Sequence, residues 1–393
     1  MSPKQRAFWR EPYHRWNVKY GATRSGKTYL DYFIIPRRIR ERAGRSGLVV
    51  LMGNTRGTLQ RNVIEPMQGI YGERLVSSIR ADNTATLFGE RVHCLGADNK
   101  KHVDRLRGSS IKYCYGDEVV TWNPEVFQML KSRLDKEYSC FDGTCNPAGP
   151  GHWLKKFLDS DADVFSQQYG IDDNPFLPRS VRDALKREYT GVFYRRYILG
   201  QWVAAEGAVY PMFERARHVR ADAPKMRFTW VGVDYGHTNP TAFLRLGLGE
   251  DGRVWALEEY YHAAGEAGAR SPRGYAKDLV AFAQGAQCVV IDPSAEGFIL
   301  QAHEECPALP LRRADNAVLP GIQLVASALD ADRLAIHPRC ENLIAEMEGY
   351  AWDARSQERG EDRPLKQDDH AVDALRYGMM HYRRELHRLI SDG

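Results

Sequence analysis

The segment Gly21-Ala22-Thr23-Arg24-Ser25-Gly26-Lys27-Thr28 fits G-x-x-x-x-G-K-[ST] at every fixed position. In that pattern backbone N–H groups wrap phosphate oxygens. Lys27 is placed to reach the β- and γ-phosphates of a nucleoside triphosphate, and the Thr28 hydroxyl to ligate Mg²⁺. The flanks suit this chemistry. Residues 16–20 (WNVKY) read as a strand, and the chain runs on from Lys27 in a helical pattern. The start of that helix would offer its dipole and unpaired N–H groups to an anion.

Hydrolysis also needs acidic groups. Residues 111–118 (IKYCYGDE) form a β-prone run that ends in Asp117 and Glu118, 90 residues after Lys27. There Asp117 would hold the Mg²⁺ shell and Glu118 would orient or deprotonate the attacking water. Thr144-Cys145-Asn146-Pro147 closes the next strand. Small polar groups at that point can sense the γ-phosphate through a hydrogen bond, although Asn-Pro would make a plain turn unaided. Two arginines are placed to stabilise charge in phosphoryl transfer: Arg24 inside the loop, and Arg107 just ahead of the Asp117 strand.

A second acidic set lies in the other half of the chain. Asp234 ends the strand-like run GVD, and Asp292 ends CVVID. Asp368, Asp369 and Asp373 crowd the head of the last helix, in QDDHAVDALRYG. A carboxylate after three or four apolar β-residues stands at a strand tip, where it can ligate. Carboxylates without a competing Cys/His cluster favour hard cations, Mg²⁺ or Mn²⁺. Two such ions clamp the attacking and leaving oxygens of a phosphodiester. Asp369 and Asp373 are four apart and share one helix face, so either fits as third ligand with the other behind it. One of Asp368 and Asp369 is equally well placed as a helix N-cap. His370 and His237 lie close enough in sequence to act as a base or phosphate contact.

The elements that must position these groups form two domains, as expected for 393 residues. The first half alternates strand and helix signals, with strands expected at 47–53, 111–116 and 138–145, two short strands around a Gly-Glu turn within 86–96, and a helix at 59–70. That is an α/β pattern with a mostly parallel sheet. Periodicity fades over 200–226. The second half restarts with three β-runs joined by a Gly-Glu-Asp-Gly turn, followed by helix and strand in the order αβαβα. A final helix is expected over 367–387. The domains are placed at 1–205 and 227–393, joined by 206–226. In this order the strands ending in Asp234 and Asp292 lie side by side.

Composition limits the setting. Residues 1–60 hold 13 Lys/Arg against 3 Asp/Glu, which suits a phosphate-rich partner or equally a solvated surface around the phosphate loop. The N-terminal run lacks the apolar core of a secretory signal, and no stretch is long enough to span a bilayer. The seven cysteines include no C-x-x-C and read as reduced thiols rather than a zinc site or disulfide framework.

Taken in order and spacing, these motifs resemble the large terminase subunit of tailed double-stranded DNA phages and prophages. The resemblance rests on the loop with its internal Arg24, the strand ending in Asp117-Glu118 and the Thr144-Cys145-Asn146 step. It rests also on Asp234, Asp292 and the D-D-H-x-x-D-A-L-R-Y run of 368–377, and on the junction residues Leu199 to Trp202 and Glu206 to Pro211. It covers about residues 5–382. It implies an ATPase that drives DNA into a procapsid, with a P-loop NTPase domain of mostly parallel sheet followed by an RNase H-like α/β nuclease domain that cuts concatemers.

The resemblance further implies that Gln5 contacts adenine and that Thr144 to Asn146 couple hydrolysis to movement. Arg107 becomes an arginine finger given in trans, with Arg24 as its rival. Asp234, Asp292 and Asp369 match the nuclease ligands, though the Asp-rich run leaves the third open between Asp369, Asp373 and Asp368. Implied cofactors are ATP with Mg²⁺, and two Mg²⁺ or Mn²⁺ ions for the nuclease. Implied partners are double-stranded DNA, a portal protein and a small terminase subunit. A monomer in solution would form a pentameric ring on the procapsid, in the host cytoplasm and with no membrane. Two other readings share the motifs: a P-loop translocase-nuclease of repair or defence, and a non-enzymatic nucleotide-binding assembly factor.

Overall fold

The computed structural model describes residues 1–11, 14–97, 108–236, 240–263 and 270–391. The chain divides into two compact units. One holds Met1–Arg182, Gly191–Ala204 and Glu358–Glu361; the other holds Asp183–Thr190, Ala205–Gln357 and Asp362–Gly393.

The first unit is built on seven strands: β1 (Trp16–Gly21), β2 (Leu48–Gly53), β3 (Thr84–Leu87), β4 (Glu90–Gly96), β5 (Ile111–Gly116), β6 (Cys140–Cys145) and β7 (Val164–Tyr169). Their order is β3-β4-β2-β5-β6-β1-β7. All neighbours are parallel except the β3–β4 hairpin. The central strands are buried on both faces, which is why the sequence of β2 runs apolar without alternation. Val49 and Leu51 pack into one core with Ile35 and Val63; Val50 and Met52 face the other, with Trp16 and Phe141. The polar sequence of β7 gives no strand signal, and its pairing to β1 supplies one.

The helix Lys27–Glu41 follows β1 after the five loop residues 22–26. Two ion pairs fix it on the sheet: Lys19 on β1 to Asp31 at 2.7 Å, with both side chains fully buried, and Arg38 to the buried Asp142 of β6 at 3.0 Å. Breaking one partner of a buried pair costs about 3–5 kcal/mol, because the other charge stays uncompensated. The helix expected at 59–70 starts earlier and is not uniform. It runs Arg56–Leu59, then a π-helical turn Gln60–Ile64, then Glu65–Tyr71.

The second unit has six strands: β8 (Met226–Asp234), β9 (Thr241–Gly249), β10 (Val254–His262), β11 (Val289–Ile291), β12 (Leu311–Arg313) and β13 (Leu334–Ile336), in the order β12-β11-β8-β9-β10-β13. The antiparallel meander β8-β9-β10 appears as expected. β11 pairs parallel to β8 with Ile291 opposite Val233, so Asp292 and Asp234 follow adjacent strand ends.

Helix His370–His381 lies on β8 and β9. It comes close because Gly232 has no side chain: a Cβ there would stand 2.1 Å from the Ala374 carbonyl oxygen. Trp230 Nε1 donates to the Gly378 carbonyl at 3.0 Å beside this contact. The single helix expected over 367–387 is shorter at both ends. Asp368 adopts φ 48°, which no helix contains, and Tyr382 ends the helix at ψ 22° before a second one, Arg383–Ser391.

Residues 206–226, expected to join the domains, fold along the second unit. Val209 N–H donates to Tyr350 O, Trp352 N–H donates to Gly207 O, and Val219 bridges to Ile336. The cysteines are all unpaired among the described residues. No described helix is long and apolar enough to cross a membrane.

Candidate functional site

In the first unit the phosphate-loop residues sit between the end of β1 and the Lys27–Glu41 helix. Arg24 at φ 57° and Gly26 at φ 85° turn the backbone into a concave nest of N–H groups. Gly21 approaches β7 so closely that a Cβ would lie 1.9 Å from Tyr169 O. The loop is braced from outside: Ala22 N–H donates to Tyr169 O, Thr23 N–H to Tyr197 O, and Asn174 Nδ2 to Arg24 O. Ser25 Oγ closes it on Ala22 O, and Thr28 lies half-buried in the first helical turn.

Gln5 also reaches the loop. Its Nε2 donates to Gly26 O at 2.9 Å, while its Oε1 accepts from Ser2 N–H. Both ends of that amide are therefore engaged.

Lys27 is buried. Its Nζ donates to Gly21 O at 3.0 Å, Ala22 O at 2.7 Å and Asn146 Oδ1 at 3.2 Å. Burial lowers its pKa, against the pull of Glu118, Cys145 and Asp117. At the end of β5, Asp117 accepts from Asn62 Nδ2 at 3.2 Å and from Thr144 Oγ1 at 3.3 Å. Burial raises its carboxyl above the usual range in spite of those bonds. Glu118 stands beside it at φ 50°, ψ 50°. Burial and then the Asp117 charge raise its pKa, while Lys27 and the Asn146 N–H oppose them. A carboxylate with raised proton affinity beside an ammonium is suited to take a proton from water.

Lys27, Asp117, Glu118, Thr144 and Asn146 thus come together. Cys145 lies fully buried and its thiol is pushed up by burial, so it packs rather than reacts. Arg24 is exposed. Arg107 lies outside the described residues. Asn62 carries no motif and is absent from the sequence reading. It sits in the π-helical turn, and its carbonyl accepts the Tyr32 hydroxyl of the phosphate-loop helix at 2.9 Å. π-turns inside α-helices recur at functional sites.

In the second unit Asp234, Asp292, Asp369 and Asp373 gather where β8, β11 and the His370–His381 helix meet. Asp234 Oδ2 pairs with His370 Nδ1 at 2.9 Å. Burial raises the Asp234 carboxyl, and the charges of Asp373 and Asp369 add to this against His370. The bond to Asp234 in turn raises His370. Asp292 Oδ2 accepts from the Tyr377 hydroxyl at 2.7 Å, and Oδ1 from Ser294 N–H at 2.8 Å and Asn316 Nδ2 at 3.4 Å. Burial pushes this carboxyl up, but those donors hold it below its ordinary value.

Asp373 is gripped by Arg376 through Nη2 at 2.8 Å and Nε at 3.2 Å. Asp369 faces Lys366 Nζ at 3.1 Å, an ion-pair distance, yet its buried Oδ2 accepts no aligned hydrogen bond. Lys366 also reaches Asp373 at 3.2 Å. Asp368 is exposed and lines a cavity of about 400 Å³ with Tyr261 and Glu346. His237 lies outside the described residues.

With Lys366, His370 and Arg376 on the carboxylates, no three His, Cys, Asp or Glu side chains among the described residues stand close enough to hold one metal ion. The donor set still fits a hard divalent cation. It is all carboxylate oxygen, and the buried Oδ2 of Asp369, which lacks an aligned hydrogen bond, already stands 3.1 Å from the positive charge of Lys366. Lys366, Tyr377 and Asn316 escaped the sequence reading; only Tyr377 lies within a quoted motif.

The chain resembles known proteins along nearly its full length. A family model described as the terminase large subunit, T4likevirus-type, N-terminal, matches residues 19–217; one described as the terminase RNAseH like domain matches residues 234–380. The large terminase subunit of Escherichia phage T5 is 23% identical over 392 residues, covering 94% of this chain and 87% of the relative. The solved large terminase of a thermophilic bacteriophage is 32% identical, with a TM-score of 0.85 over 96% of this chain and 98% of its own. The same thermophilic phage protein in complex with ATP-gamma-S is 31% identical, with a TM-score of 0.83 over 96% and 98%. With matched models over both sheets and this identity over almost the whole chain, the protein belongs to the large terminase subunits, the ATPase–nucleases of phage DNA packaging.

Proposed function

We propose that residues 1–205 carry the ATPase and residues 227–393 the nuclease, with 206–226 between them, and that the named side chains divide the chemistry as follows. The observation that carries the ATPase reading is the convergence of Lys27, Glu118 and Asn146. Lys27 leaves the Gly21 and Ala22 carbonyls for the β- and γ-phosphates, and the nest of 21–28 cradles the rest of the triphosphate. Glu118 orients the attacking water and accepts its proton. Mg²⁺, held by Thr28 and Asp117, would neutralise phosphate charge. Gln5, already bonded to the loop, turns towards adenine. Arg24 or Arg107 supplies the further positive charge, Arg107 from a neighbouring subunit. Thr144 to Asn146 carry the change at the γ-phosphate into β6, because Asn146 touches both Lys27 and Glu118.

For the nuclease, Asp234, Asp292 and Asp369 hold two divalent ions, Mg²⁺ or Mn²⁺, which would activate water and stabilise the leaving oxygen. Asp373, bound to Arg376, stands behind Asp369. Lys366 marks where positive charge belongs. DNA is held through its phosphates without base reading, so its affinity falls with salt. The partners are double-stranded DNA, a portal protein and a small terminase subunit. The working form is a ring on the procapsid portal in the host cytoplasm, a pentamer assembled from monomers.

The test is phosphate release and plasmid cutting by the same preparation. Lys27→Ala should abolish ATP hydrolysis, with or without procapsids, and leave Mn²⁺-dependent cutting intact. Asp234→Ala should do the reverse. ATP turnover by Lys27→Ala at the wild-type rate would overturn the ATPase assignment.

A further inference from the structure

Helix His370–His381 begins without a cap of its own. Asp369 occupies the N-cap position, yet its side chain accepts no N–H of the first turn. An Asp in that place normally turns its carboxylate onto the second or third N–H, because the first turn of a helix leaves these donors unpaired. Here the third donor is satisfied from another helix. Val372 N–H donates to Glu346 Oε2 at 2.9 Å. Glu346 belongs to helix Glu341–Gly349 and is 6% exposed. Its other oxygen, Oε1, is buried with no hydrogen-bond partner among the described residues. A carboxylate buried this deeply is costly unless hydrogen-bonded, and the helix start supplies that bond.

We infer that Glu346 is a positioning residue of the nuclease: by capping this helix from outside, it releases the Asp369 carboxylate to bind metal beside Asp234. The inference rests on the reading of Asp234, Asp292 and Asp369 as metal-binding carboxylates. One carboxylate cannot both bond the first-turn N–H groups and serve as a metal ligand from the same lone pairs. The observed Asp369 does not spend itself on the helix. Its Oδ2 is buried without an aligned donor, and Lys366 Nζ stands 3.1 Å away. Glu346 itself touches none of the four aspartates in its hydrogen bonding, so it acts through the helix.

Without Glu346, the Asp369 side chain is the nearest cap for Val372 N–H. Capping would then compete with metal binding while the helix survives. The experiment uses the full chain and reads Mn²⁺ binding by titration calorimetry, plasmid cutting and ATP hydrolysis. Glu346→Leu should weaken Mn²⁺ binding about 10-fold or more, the size typical for groups that orient a ligand. Cutting should fall with it and recover at high Mn²⁺, while ATP hydrolysis stays unchanged. Glu346→Gln keeps an oxygen for Val372 N–H and should stay within about 3-fold of wild type. Glu346→Asp is too short to reach; it keeps the charge and guards against misfolding of the leucine variant. It should behave as Glu346→Leu does.

Unchanged Mn²⁺ affinity in Glu346→Leu and Glu346→Asp would overturn the inference. So would an equal loss in Glu346→Gln, since charge rather than capping would then matter. Asp234→Ala separates the two levels. If it still binds Mn²⁺ and cuts, the metal site itself is misassigned. If it loses both while the Glu346 variants do not, only the role of Glu346 fails.

Discussion

Asn146 joins the phosphate-loop lysine to the candidate base. Its Oδ1 accepts from Lys27 Nζ at 3.2 Å, and its backbone N–H opposes the burial that raises the Glu118 carboxyl. A shift of Lys27 onto phosphate therefore changes what Asn146 holds. Asn146→Ala should lower kcat for ATP about 10-fold, the size of one lost charge-assisted bond, with KM within about 2-fold. Steady-state phosphate release checks this, and an unchanged kcat would remove Asn146 from the coupling path.

Asn62 holds Asp117 from the π-helical turn. Asn62→Ala removes a donor to a buried carboxylate and should cost about 1–2 kcal/mol, roughly 10-fold in hydrolysis. Asn62→Asp places a second negative charge there and should be worse, though the two side chains are nearly the same size. The Mg²⁺ dependence of fluorescent ATP-analogue binding supplies a second readout. Wild-type activity of both variants would mean that the Asn62 bond does not matter.

Asp369 and Asp373 should separate cleanly. Asp373 neutralises the buried Arg376, which also donates to Asn316 O. Asp373→Asn should therefore destabilise the chain by about 3 kcal/mol, an uncompensated buried guanidinium being the cause. Asp369→Asn should barely shift the thermal midpoint but abolish Mn²⁺ binding. Calorimetry on both variants decides. The opposite pattern would make Asp373 the third ligand.

Burial raises the Glu346 carboxyl to about 7, against Val372 N–H and Tyr261, from an ordinary 4.5. Because the folded value is the higher one, its contribution is complete below the unfolded pKa. It is lost as pH rises through about 7, on the order of 3 kcal/mol for this buried group. Wild type should thus lose more stability than Glu346→Gln between about pH 5 and about pH 8. Scanning calorimetry at both pH values checks the sign; parallel curves would show that Glu346 does not titrate on unfolding.

What the sequence by itself determined is what chain neighbours determine. The eight residues 21–28 carry their own turn, and Asp117 and Glu118 share one strand end, so the P-loop constellation is visible as spacing. The apolar run of β2 shows sheet burial because both faces are covered. Strand order even set Asp292 beside Asp234, since a strand returning after a helix pairs parallel to the first. Only the tertiary structure decided the rest. Asn62 reaches Asp117 across 55 residues through an irregular turn that no periodicity announces. Asp368 at φ 48° starts the last helix later than its pattern suggests, and Glu346 caps it from another helix. Gly232 matters because the Ala374 carbonyl lies on top of it. Local spacing cannot express such contacts, because they depend on how elements far apart in sequence pack within a few tenths of an ångström.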